Sequence, residues 1–586
     1  MPLPVEVRVK QESLALAVLG ATGDLSTKKL FPCLFQLHYQ GFLPPRTTVI
    51  GYGRTAYDDT SFRTLLRTFL TKAIRSVSPG QSSPCTAIRR SLDIPAGGEL
   101  VDANMVEPRE PTPMDIDRFL SIVSYVHSTH NYGGLGSEIP RDALELFAAK
   151  LDQHKDTHQS ANAHNRVFYL ALPYEVWPHI CALLKQKCMS DSGFNRLVLE
   201  KPFGRDTASA LELNARLSSV FSEEHIYRMD RYLGKEIVEN LLVMRFANRF
   251  FSPIWNRDNI KNVQIIFKEP YGAEDQNRTA YFDSQGIMRD VMQNHLLQIL
   301  ALVAMDKPAS LSHEDIRDEK LKVLRCVQNI KDEDMVVAQY TAGNGHRGYK
   351  EHPSVADDST APTFCMAVLY VRNERWDGVP FILKAGKGLN ERRSEVRIQL
   401  RDVPGDLFSE EQGQGPNEFV LRMQPEEELY LKMTIKKPGL GMNIVPSEMQ
   451  LSEQWKLVQG YKSAKGIAPR RAYERLILDL IHGFRGHFVR DDELMAAWRV
   501  ITPALERIDS GKIPMHTYRY GSRGPNEAEA LRRSTGHTAS IVAKDDVPLD
   551  SMPSSEFYFP SAFARKMNLD PSSDGSICLE SPTKSQ

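Results

Sequence analysis

Residues 14–26 read Leu-Ala-Leu-Ala-Val-Leu-Gly-Ala-Thr-Gly-Asp-Leu-Ser, an apolar run that ends at Gly20 and leads into a lysine-bearing helix start. Glycines allow backbone amides to approach a pyrophosphate closely, and a helix N-terminus adds a positive dipole. The run reads GxxGDL rather than the commoner GxGxxG, so a plain tight turn is the alternative. The order of strand, loop and helix favours a dinucleotide-binding loop.

The segments that follow this loop predict the fold of the first part of the chain. Further strand candidates lie at 47–52, 167–172 and 197–200, and helical stretches separate them. Strands that alternate with helices are typical of a parallel, doubly wound sheet.

Beyond about residue 205 the pattern changes to helices interspersed with strand-like runs. Helices are expected at roughly 205–245 and 286–305. Several of the strand-like runs follow one another with short turns, which is typical of a large antiparallel sheet. The strand-like runs cover 263–268, 364–371, 379–384, 395–400, 418–423 and 428–435.

The chain of 586 residues is too long for one ordinary core, so two domains are expected. We predict an α/β Rossmann-type dinucleotide-binding domain over 1–205 and an α+β domain with a large, mostly antiparallel sheet over 206–540. The stretch 76–115, rich in Ser, Pro and Gly, is interpreted as a surface insertion. The tail over 541–586 lacks periodicity and is expected to be weakly ordered.

The composition argues against several classes of function. Lys and Arg (73) balance Asp and Glu (74), so no charge excess drives binding to nucleic acid or to an anionic membrane. No apolar run reaches the roughly 18–20 residues of a membrane helix. The N-terminus lacks the apolar region of a signal peptide, so a cytoplasmic location is expected. The seven cysteines include no CxxC pair and no zinc-type spacing, so no metal site is expected.

The second strand candidate ends Val49-Ile-Gly-Tyr-Gly-Arg54. An enzyme that uses NAD usually places an acid near this point to bind the ribose hydroxyl. Arg54 stands there instead, and a guanidinium matches a 2′-phosphate in shape and charge. The position favours NADP, with a plain surface arginine as the alternative.

Two short segments suggest sites for an anionic ligand. Arg231 and Lys235 are four residues apart, so on a helix they would share a face, with Gly234 keeping that face open. A pair of solvated surface cations is the alternative. Lys201 ends a strand candidate and precedes Pro202, which restrains its backbone at the edge where α/β folds bind ligands.

His295 lies among acids and amides on a helix that then runs apolar, and such a polar cluster is costly unless it is used. Histidine titrates near neutral pH and suits removal of a hydroxyl proton during alcohol oxidation. Asp290, five residues earlier, would point about 140° away around the helix. Asp230, from another segment, fits better as the carboxylate that orients the ring. A buried structural histidine is the alternative.

Taken together, these motifs resemble the glucose-6-phosphate dehydrogenase family. The resemblance runs from about Leu14 to Arg533, apart from the stretch 76–115. The matching stretches are GATGDLSTKKLFP, FYLALP, EKPFGRD, RFANRFFSPIWNRDNI, FDSQGIMRDVMQNHLLQ, RNERWDGVPFILKAGKGLNERRSEVR, KKPG, AYERLILDL and YGSRGPNEA.

The resemblance implies oxidation of D-glucose 6-phosphate at C1 to 6-phospho-D-glucono-1,5-lactone with hydride transfer to NADP, the first step of the oxidative pentose phosphate pathway. By this resemblance, His295 corresponds to the family's catalytic base and Asp230 to the aspartate that orients it. Lys201 corresponds to a lysine that contacts both sugar and coenzyme. The other substrate-side matches are Glu269 and Asp290 at the sugar hydroxyls, Tyr232, Lys235, Lys387 and Arg392 at the phosphate, and Gln424. The coenzyme-side matches are Gly20, Thr22, Gly23, Asp24, Leu25, Lys29, Arg54 and Trp177, which stands where tyrosine is common.

Arg231 departs from the family motif Asp-His-Tyr-Leu-Gly-Lys, whose histidine binds the substrate phosphate. Arginine is longer and always charged, yet it is a competent phosphate ligand, so Arg231 remains a substrate-binding candidate. We expect reduced but real activity. Two alternatives stay open: a catalytically impaired subunit that regulates an active relative, and an active dehydrogenase for another sugar phosphate.

The resemblance also implies a homodimer or homotetramer built on the large sheet. Some members of the family bind a second, structural NADP. The aromatic residues that those members carry near the C-terminus are missing from 536–549, so the occupancy of this second site is open. The basic residues that match the second site are Lys268, Lys384, Arg393, Arg397, Arg422, Lys432 and Arg523.

Overall fold

The computed structural model describes residues 13–75, 111–128, 141–152, 164–274, 279–408, 415–451 and 472–536. Residues 76–110, most of the predicted insertion, and the predicted tail over 541–586 lie outside these ranges. Pro113 begins a helix, so the last residues assigned to the insertion belong to regular structure.

The first sheet is parallel except for its last pairing. Its strands are β1 (Ser13–Leu19), β2 (Arg46–Gly53), β3 (Val123–His127), β4 (His164–Leu170), β5 (Asn195–Glu200), β6 (Ile226–Met229) and β15 (Phe488–Val489). Across the part of the chain that the structure describes, they lie in the order β15-β6-β5-β4-β1-β2-β3. All neighbours pair in parallel except β15, which runs antiparallel to β6. The predicted doubly wound parallel sheet is confirmed.

The strand β1 shows why its sequence reads as a continuous apolar run. Leu14 and Leu16 pack into a core on one face of the sheet, whereas Ala15 and Ala17 pack into a core on the other face. Successive side chains of a strand point to opposite faces, and both faces of this sheet are covered. Every residue of β1 is therefore buried.

Helices cover the first sheet and continue through the second part of the chain. The loop after β1 leads into a π-helical stretch, Ser26–Leu30, that continues directly into α1. The helices of the described residues are α1 (Phe31–Tyr39), α2 (Asp59–Arg75), α3 (Pro113–Ser121), α4 (Arg141–Leu151), α5 (Trp177–Lys187), α6 (Thr207–Ser218), α7 (Glu236–Ala247), α8 (Phe251–Ile254), α9 (Thr279–Ile287), α10 (Leu297–Ala304), α11 (His313–Cys326), α12 (Ala472–His482), α13 (Asp491–Asp509) and α14 (Asn526–Ser534). None of them is long and apolar enough to span a bilayer.

The helical prediction over 205–245 holds for α6 and α7 but was wrong between them. The helix α6 ends at Ser218, the strand β6 follows, and a turn over 231–234 precedes α7. All four residues of β6 are buried, with Ile226 in the core on one face of the sheet and Tyr227 and Met229 in the core on the other. The pairing of β6 between β5 and β15 overrides local helix propensity. Arg231 and Lys235 therefore do not share a helix face.

The helix predicted at 286–305 is confirmed from Met288 onward. It begins as a π-helical stretch, Met288–Leu296, and continues as α10. Gly286, with φ 64°, is a non-helical residue that kinks the end of α9 just before this helix begins. Only a residue without a Cβ adopts that backbone conformation readily.

The second sheet is mostly antiparallel, as predicted. Its strands are β7 (Ile260–Lys268), β8 (Met335–Thr341), β9 (Phe364–Tyr370), β10 (Pro380–Gly386), β11 (Arg393–Leu400), β12 (Glu418–Gln424), β13 (Glu428–Lys436), β14 (Ile444–Gln450) and β16 (Met515–Arg519). Within the described ranges their order is β14-β13-β12-β11-β7-β10-β9-β8-β16. The parallel pairs are β7 with β10 and β8 with β16.

The first sheet takes two strands, β6 and β15, from beyond residue 205. The domain boundary near residue 205 stays a prediction. The first sheet includes strands from both sides of that boundary. This continuation matters for the site, because Asp230 directly follows β6.

Candidate active site

Asp230 and His295 form a buried pair at the carboxyl edge of the first sheet. Asp230 follows β6, and His295 lies in the π-helical stretch that precedes α10. The His295 Nδ1 atom is 2.5 Å from Asp230 Oδ1, and each side chain is only 2% exposed. The same carboxylate oxygen accepts a hydrogen bond from the Tyr232 backbone N–H at 2.9 Å. The carboxylate thus fixes the orientation of the imidazole ring, and Asp290 does not.

The surroundings keep this imidazole neutral. Burial, assisted by the positive charges of Lys201 and Arg231, lowers the pKa of His295 to about 4, although Asp230 opposes the shift. Burial would raise the pKa of Asp230, but His295 and the Tyr232 N–H hold it below its usual value. With Nδ1–H donated to Asp230, Nε2 is left as the proton acceptor. It is buried and has no hydrogen-bond partner among the described residues.

A chain of alternating charges lies beside the pair. The Lys201 Nζ atom donates to the Asp290 backbone oxygen at 2.5 Å and lies 3.3 Å from Asp290 Oδ1. Asp290 Oδ2 is 3.8 Å from Lys387 Nζ, which in turn donates to Glu269 Oε2 at 2.5 Å. Burial would raise the pKa of Asp290, but the two lysines hold it well below its usual range. The resulting carboxylates can accept hydrogen bonds from several hydroxyls of one ligand.

A group of cations borders this chain of charges. The Arg231 guanidinium and the Lys235 ammonium flank the Tyr232 ring, at 5.7 and 5.5 Å from its centroid. Burial and the positive charges of Arg231 and Arg392 lower the pKa of Lys235. Lys235 Nζ also donates to the Met423 carbonyl at 3.2 Å, next to Gln424 at the end of β12. Several cations held this close together favour an anionic ligand such as a phosphate.

Arg231 itself is exposed and makes no hydrogen bond or ion pair with the described residues. The negative charges that act on it include Glu269 and Asp290. Its guanidinium therefore belongs to the same site although it lies on a turn, and it is available to an incoming anion.

The loop after β1 lies against the ends of its neighbouring strands. Gly20 has φ 87°, and its N–H donates to the Tyr52 carbonyl at 2.8 Å. A Cβ at Gly20 would overlap the carbonyl oxygen of Ala171 just beyond β4. The Gly23 N–H and the Ser26 hydroxyl both donate to the Gly20 carbonyl, at 3.1 and 2.9 Å. These contacts fix a tight loop at the edge where parallel sheets bind dinucleotides.

The other predicted coenzyme residues surround this loop. Thr22 accepts a hydrogen bond from the Thr55 hydroxyl at 3.2 Å, and Asp24 pairs with Lys28 at 2.9 Å on the surface. Leu25 is partly buried, whereas Lys29 and Arg54 are exposed, with Arg54 directly after β2. Trp177 is 1% exposed and donates its indole N–H to the Leu172 carbonyl at 3.0 Å. It lies in the core, with its ring centre 6.1 Å from that of Phe203, so direct contact between Trp177 and a dinucleotide remains a prediction.

Sequence reasoning missed the tyrosines that support the site. Tyr271 donates its hydroxyl to Glu269 Oε1 at 2.7 Å, and Tyr169 donates to Glu200 Oε1 at 2.5 Å, beside Lys201. Tyr271 follows Glu269 by two residues, and this spacing alone is only a weak indication that the two side chains are hydrogen-bonded. Tyr169 lies on β4 and reaches Glu200 only through the pairing of β4 with β5.

The basic residues predicted for a second NADP gather on the second sheet, and we call them the basic strand cluster. Lys268 lies 3.3 Å from Glu391, and Arg397 donates to Glu418 at 2.7 Å. Arg422 donates to Glu428 at 2.7 Å. Glutamates thus lie among these cations. The cluster comprises Lys268, Lys384, Arg393, Arg397, Arg422, Lys432 and Arg523.

Replacement of Gly20 by alanine tests the dinucleotide loop. We expect Gly20→Ala to weaken NADP binding at least about tenfold, because its Cβ would displace the loop from Ala171. Gly41→Ala is the matched control, since Gly41 has a similar φ of 73° but no atom near the added Cβ. Fluorescence titration with NADPH would measure both affinities. Equal affinities in the two variants would contradict the assignment.

The two halves of the chain match two family descriptions. Residues 17–240 match the "Glucose-6-phosphate dehydrogenase, NAD binding domain", and residues 242–539 match the "Glucose-6-phosphate dehydrogenase, C-terminal domain". Together these matches cover most of the chain.

Relatives match over nearly their whole length. "Glucose-6-phosphate 1-dehydrogenase 6, cytoplasmic" of Arabidopsis thaliana is 46% identical over 533 residues, which are 89% of this chain and 92% of that protein. The cytoplasmic isoform of Solanum tuberosum is 45% identical over 532 residues, with the same coverage. A solved structure titled "Glucose-6-phosphate dehydrogenase in complex with its substrate glucose-6-phosphate" is 37% identical, with a TM-score of 0.76 over 90% of this chain and 99% of that one. The chain belongs to the glucose-6-phosphate dehydrogenase family.

Proposed function

We propose that this chain oxidises D-glucose 6-phosphate at C1 to 6-phospho-D-glucono-1,5-lactone and transfers the hydride to NADP. The observation that carries this proposal is the buried Asp230–His295 pair, in which a neutral imidazole has its Nε2 atom buried and without a partner. Membership of the family supports it, as does the solved relative whose title names glucose 6-phosphate as its substrate.

The proton chemistry follows from the geometry of the pair. His295 Nε2 takes the proton of the C1 hydroxyl while hydride leaves C1, so that the carbonyl of the lactone forms. The positive charge that develops on the imidazole is stabilised by Asp230, which already holds Nδ1–H. Bound NADP supplies the hydride acceptor. Because both side chains are 2% exposed, bulk water does not screen the stabilisation.

The neighbouring charges fit a sugar phosphate. Glu269 and Asp290 offer acceptors for sugar hydroxyls, and Lys201 holds Asp290 in place. Arg231, Lys235 and Arg392 offer donors for the phosphate. A ligand with hydroxyls at one end and a dianion at the other end matches this division of charge. Rates with a panel of hexose phosphates would distinguish glucose 6-phosphate from other members of the class.

The proposed coenzyme is NADP rather than NAD. Arg54 is exposed directly after β2, where a 2′-phosphate attached to the ribose would be recognised. The Gly20–Gly23 loop and the helix that begins at Asp24 fit the pyrophosphate, because the first N–H groups of a helix have no partner within it and its dipole favours an anion.

The remaining proposals concern assembly and location. We propose a homodimer or homotetramer, supported by exposed apolar side chains at the β13–β14 end of the second sheet, among them Ile435, Leu440, Met442 and Met449. Burial of such side chains favours association with a second copy. A cytoplasmic location is supported by the names of the two plant relatives. The comparisons give no support to the alternative of a catalytically impaired regulatory subunit.

Turnover of glucose 6-phosphate, followed as NADPH absorbance, tests the function directly. We expect activity in the wild-type protein and a loss of kcat by at least about 100-fold in His295→Asn, which removes the base but keeps a polar side chain. Arg231→His is expected to raise kcat/KM, because it restores the shorter phosphate ligand of the family motif. A silent wild type with an active Arg231→His would overturn the proposal in favour of the impaired subunit.

A second NADP at the basic strand cluster has a separate test. If the basic strand cluster binds NADP, then NADP should stabilise the Gly20→Ala protein, in which the catalytic loop binds poorly, by about 2.7 kcal/mol at 100 times the dissociation constant of the cluster. Lys384→Gln combined with Arg393→Gln should abolish that gain. Thermal unfolding with increasing NADP measures the effect. If the Gly20→Ala protein gains no stability from NADP, the second site is absent.

A further inference from the structure

A cavity of about 310 Å³ lies beyond the C-terminal end of α7, apart from the candidate active site. Its lining includes four cationic side chains, together with Asn248 and Ser252. The cations are Arg245, Arg249, Lys307 and Arg375. The stretches RFANRFFSPIWNRDNI and RNERWDG contribute three of them, and none has a part in the proposed reaction.

Arg245 forms the inner wall of this cavity and is 5% exposed. Its terminal nitrogens donate to the carbonyls of Leu302 and Met305, at 2.8 and 2.7 Å, where α10 ends. Its Nε–H has no hydrogen-bond partner, and no carboxylate pairs with it among the described residues. The Phe246 and Trp255 rings lie 4.6 and 5.2 Å from the guanidinium carbon. A buried cation without a counter-charge is costly, so a nearby anion would stabilise it.

The other cations leave the cavity positive. Arg249 and Lys307 are exposed and make no hydrogen bond or ion pair with any residue that the structure describes. Arg375 donates from Nε to Asp306 at 2.6 Å. Burial and the charge of Arg375 lower the pKa of Arg245, and Asp306 only partly offsets this. Like charges that repel one another around an open volume are stabilised when an anion enters.

We infer that this cavity binds a phosphate-bearing anion with two or more negative charges, such as a triphosphate chain. Arg249, which bonds to no described residue, can donate a pair of hydrogen bonds to phosphate oxygens, Arg245 holds an unpartnered Nε–H, and Lys307 adds a point charge. The Asn248 amide and the Ser252 hydroxyl can donate further hydrogen bonds. A volume of about 310 Å³ exceeds a single phosphate and reaches the lower end of small-molecule sites. Inorganic tripolyphosphate and a nucleoside triphosphate share this chemistry.

The test must keep the probe out of the catalytic site. The His295→Asn protein is therefore saturated with NADP and glucose 6-phosphate, and it is then titrated with inorganic tripolyphosphate in a calorimeter. A second titration uses ATP. We expect one tripolyphosphate per chain and binding that weakens as ionic strength rises. Tighter binding of ATP would show that the nucleoside also contacts the cavity.

Two double variants, each made in the His295→Asn protein, test whether tripolyphosphate binds at this cavity. Arg249→Ser with Lys307→Ser should weaken binding of tripolyphosphate at least tenfold, because both cations are exposed at the cavity. Lys187→Ser with Arg46→Ser is the matched control, since it removes one lysine and one arginine that are exposed elsewhere and form no ion pair with the described residues. Equal thermal unfolding midpoints would show that both variants fold. Absence of binding, or equal weakening in the two double variants, would overturn the inference.

Discussion

The hydrogen bond between the buried Asp230 carboxylate and the His295 imidazole is the interaction on which the site depends. A carboxylate that is only 2% exposed is costly to bury without a donor, and the His295 ring supplies one. Asp230 follows β6, whose parallel pairing with β5 brings it to the same edge as the loop after β1. The base and the dinucleotide loop thus meet because of strand order, not because of closeness in sequence.

The second sheet completes the site with charges of both signs. Glu269 follows β7, Lys387 follows β10, and these neighbouring strands pair in parallel. Their ends therefore bring a carboxylate and an ammonium to 2.5 Å. Lys201 from the first sheet reaches Asp290 in the same region. Lys201 and Lys387 hold the pKa of Asp290 well below its usual range, so a carboxylate that can accept hydroxyls lies at short range from cationic donors.

The sequence predicts β1, β2, β4 and β5 of the first sheet, because runs such as β1 are continuously apolar, but it misses the short strands β3, β6 and β15. It fails at β6, a strand of only four residues that forms between β5 and β15 and packs its side chains into both cores. Because of that error, the predicted reason for the anion site was wrong. Arg231 and Lys235 lie near each other because a turn joins them, not because they are four residues apart on a helix. Contacts such as Tyr271 with Glu269 depend on the folded loops, which spacing alone does not determine.

The most direct test of the central claim is the steady-state rate of Asp230→Asn with glucose 6-phosphate and NADP. The replacement keeps the size of the side chain but removes the charge that orients and stabilises His295. The predicted result is a fall in kcat of at least about 100-fold, with the KM for glucose 6-phosphate within about fivefold of the wild-type value. A variant that keeps nearly full kcat would contradict the role assigned to the buried pair.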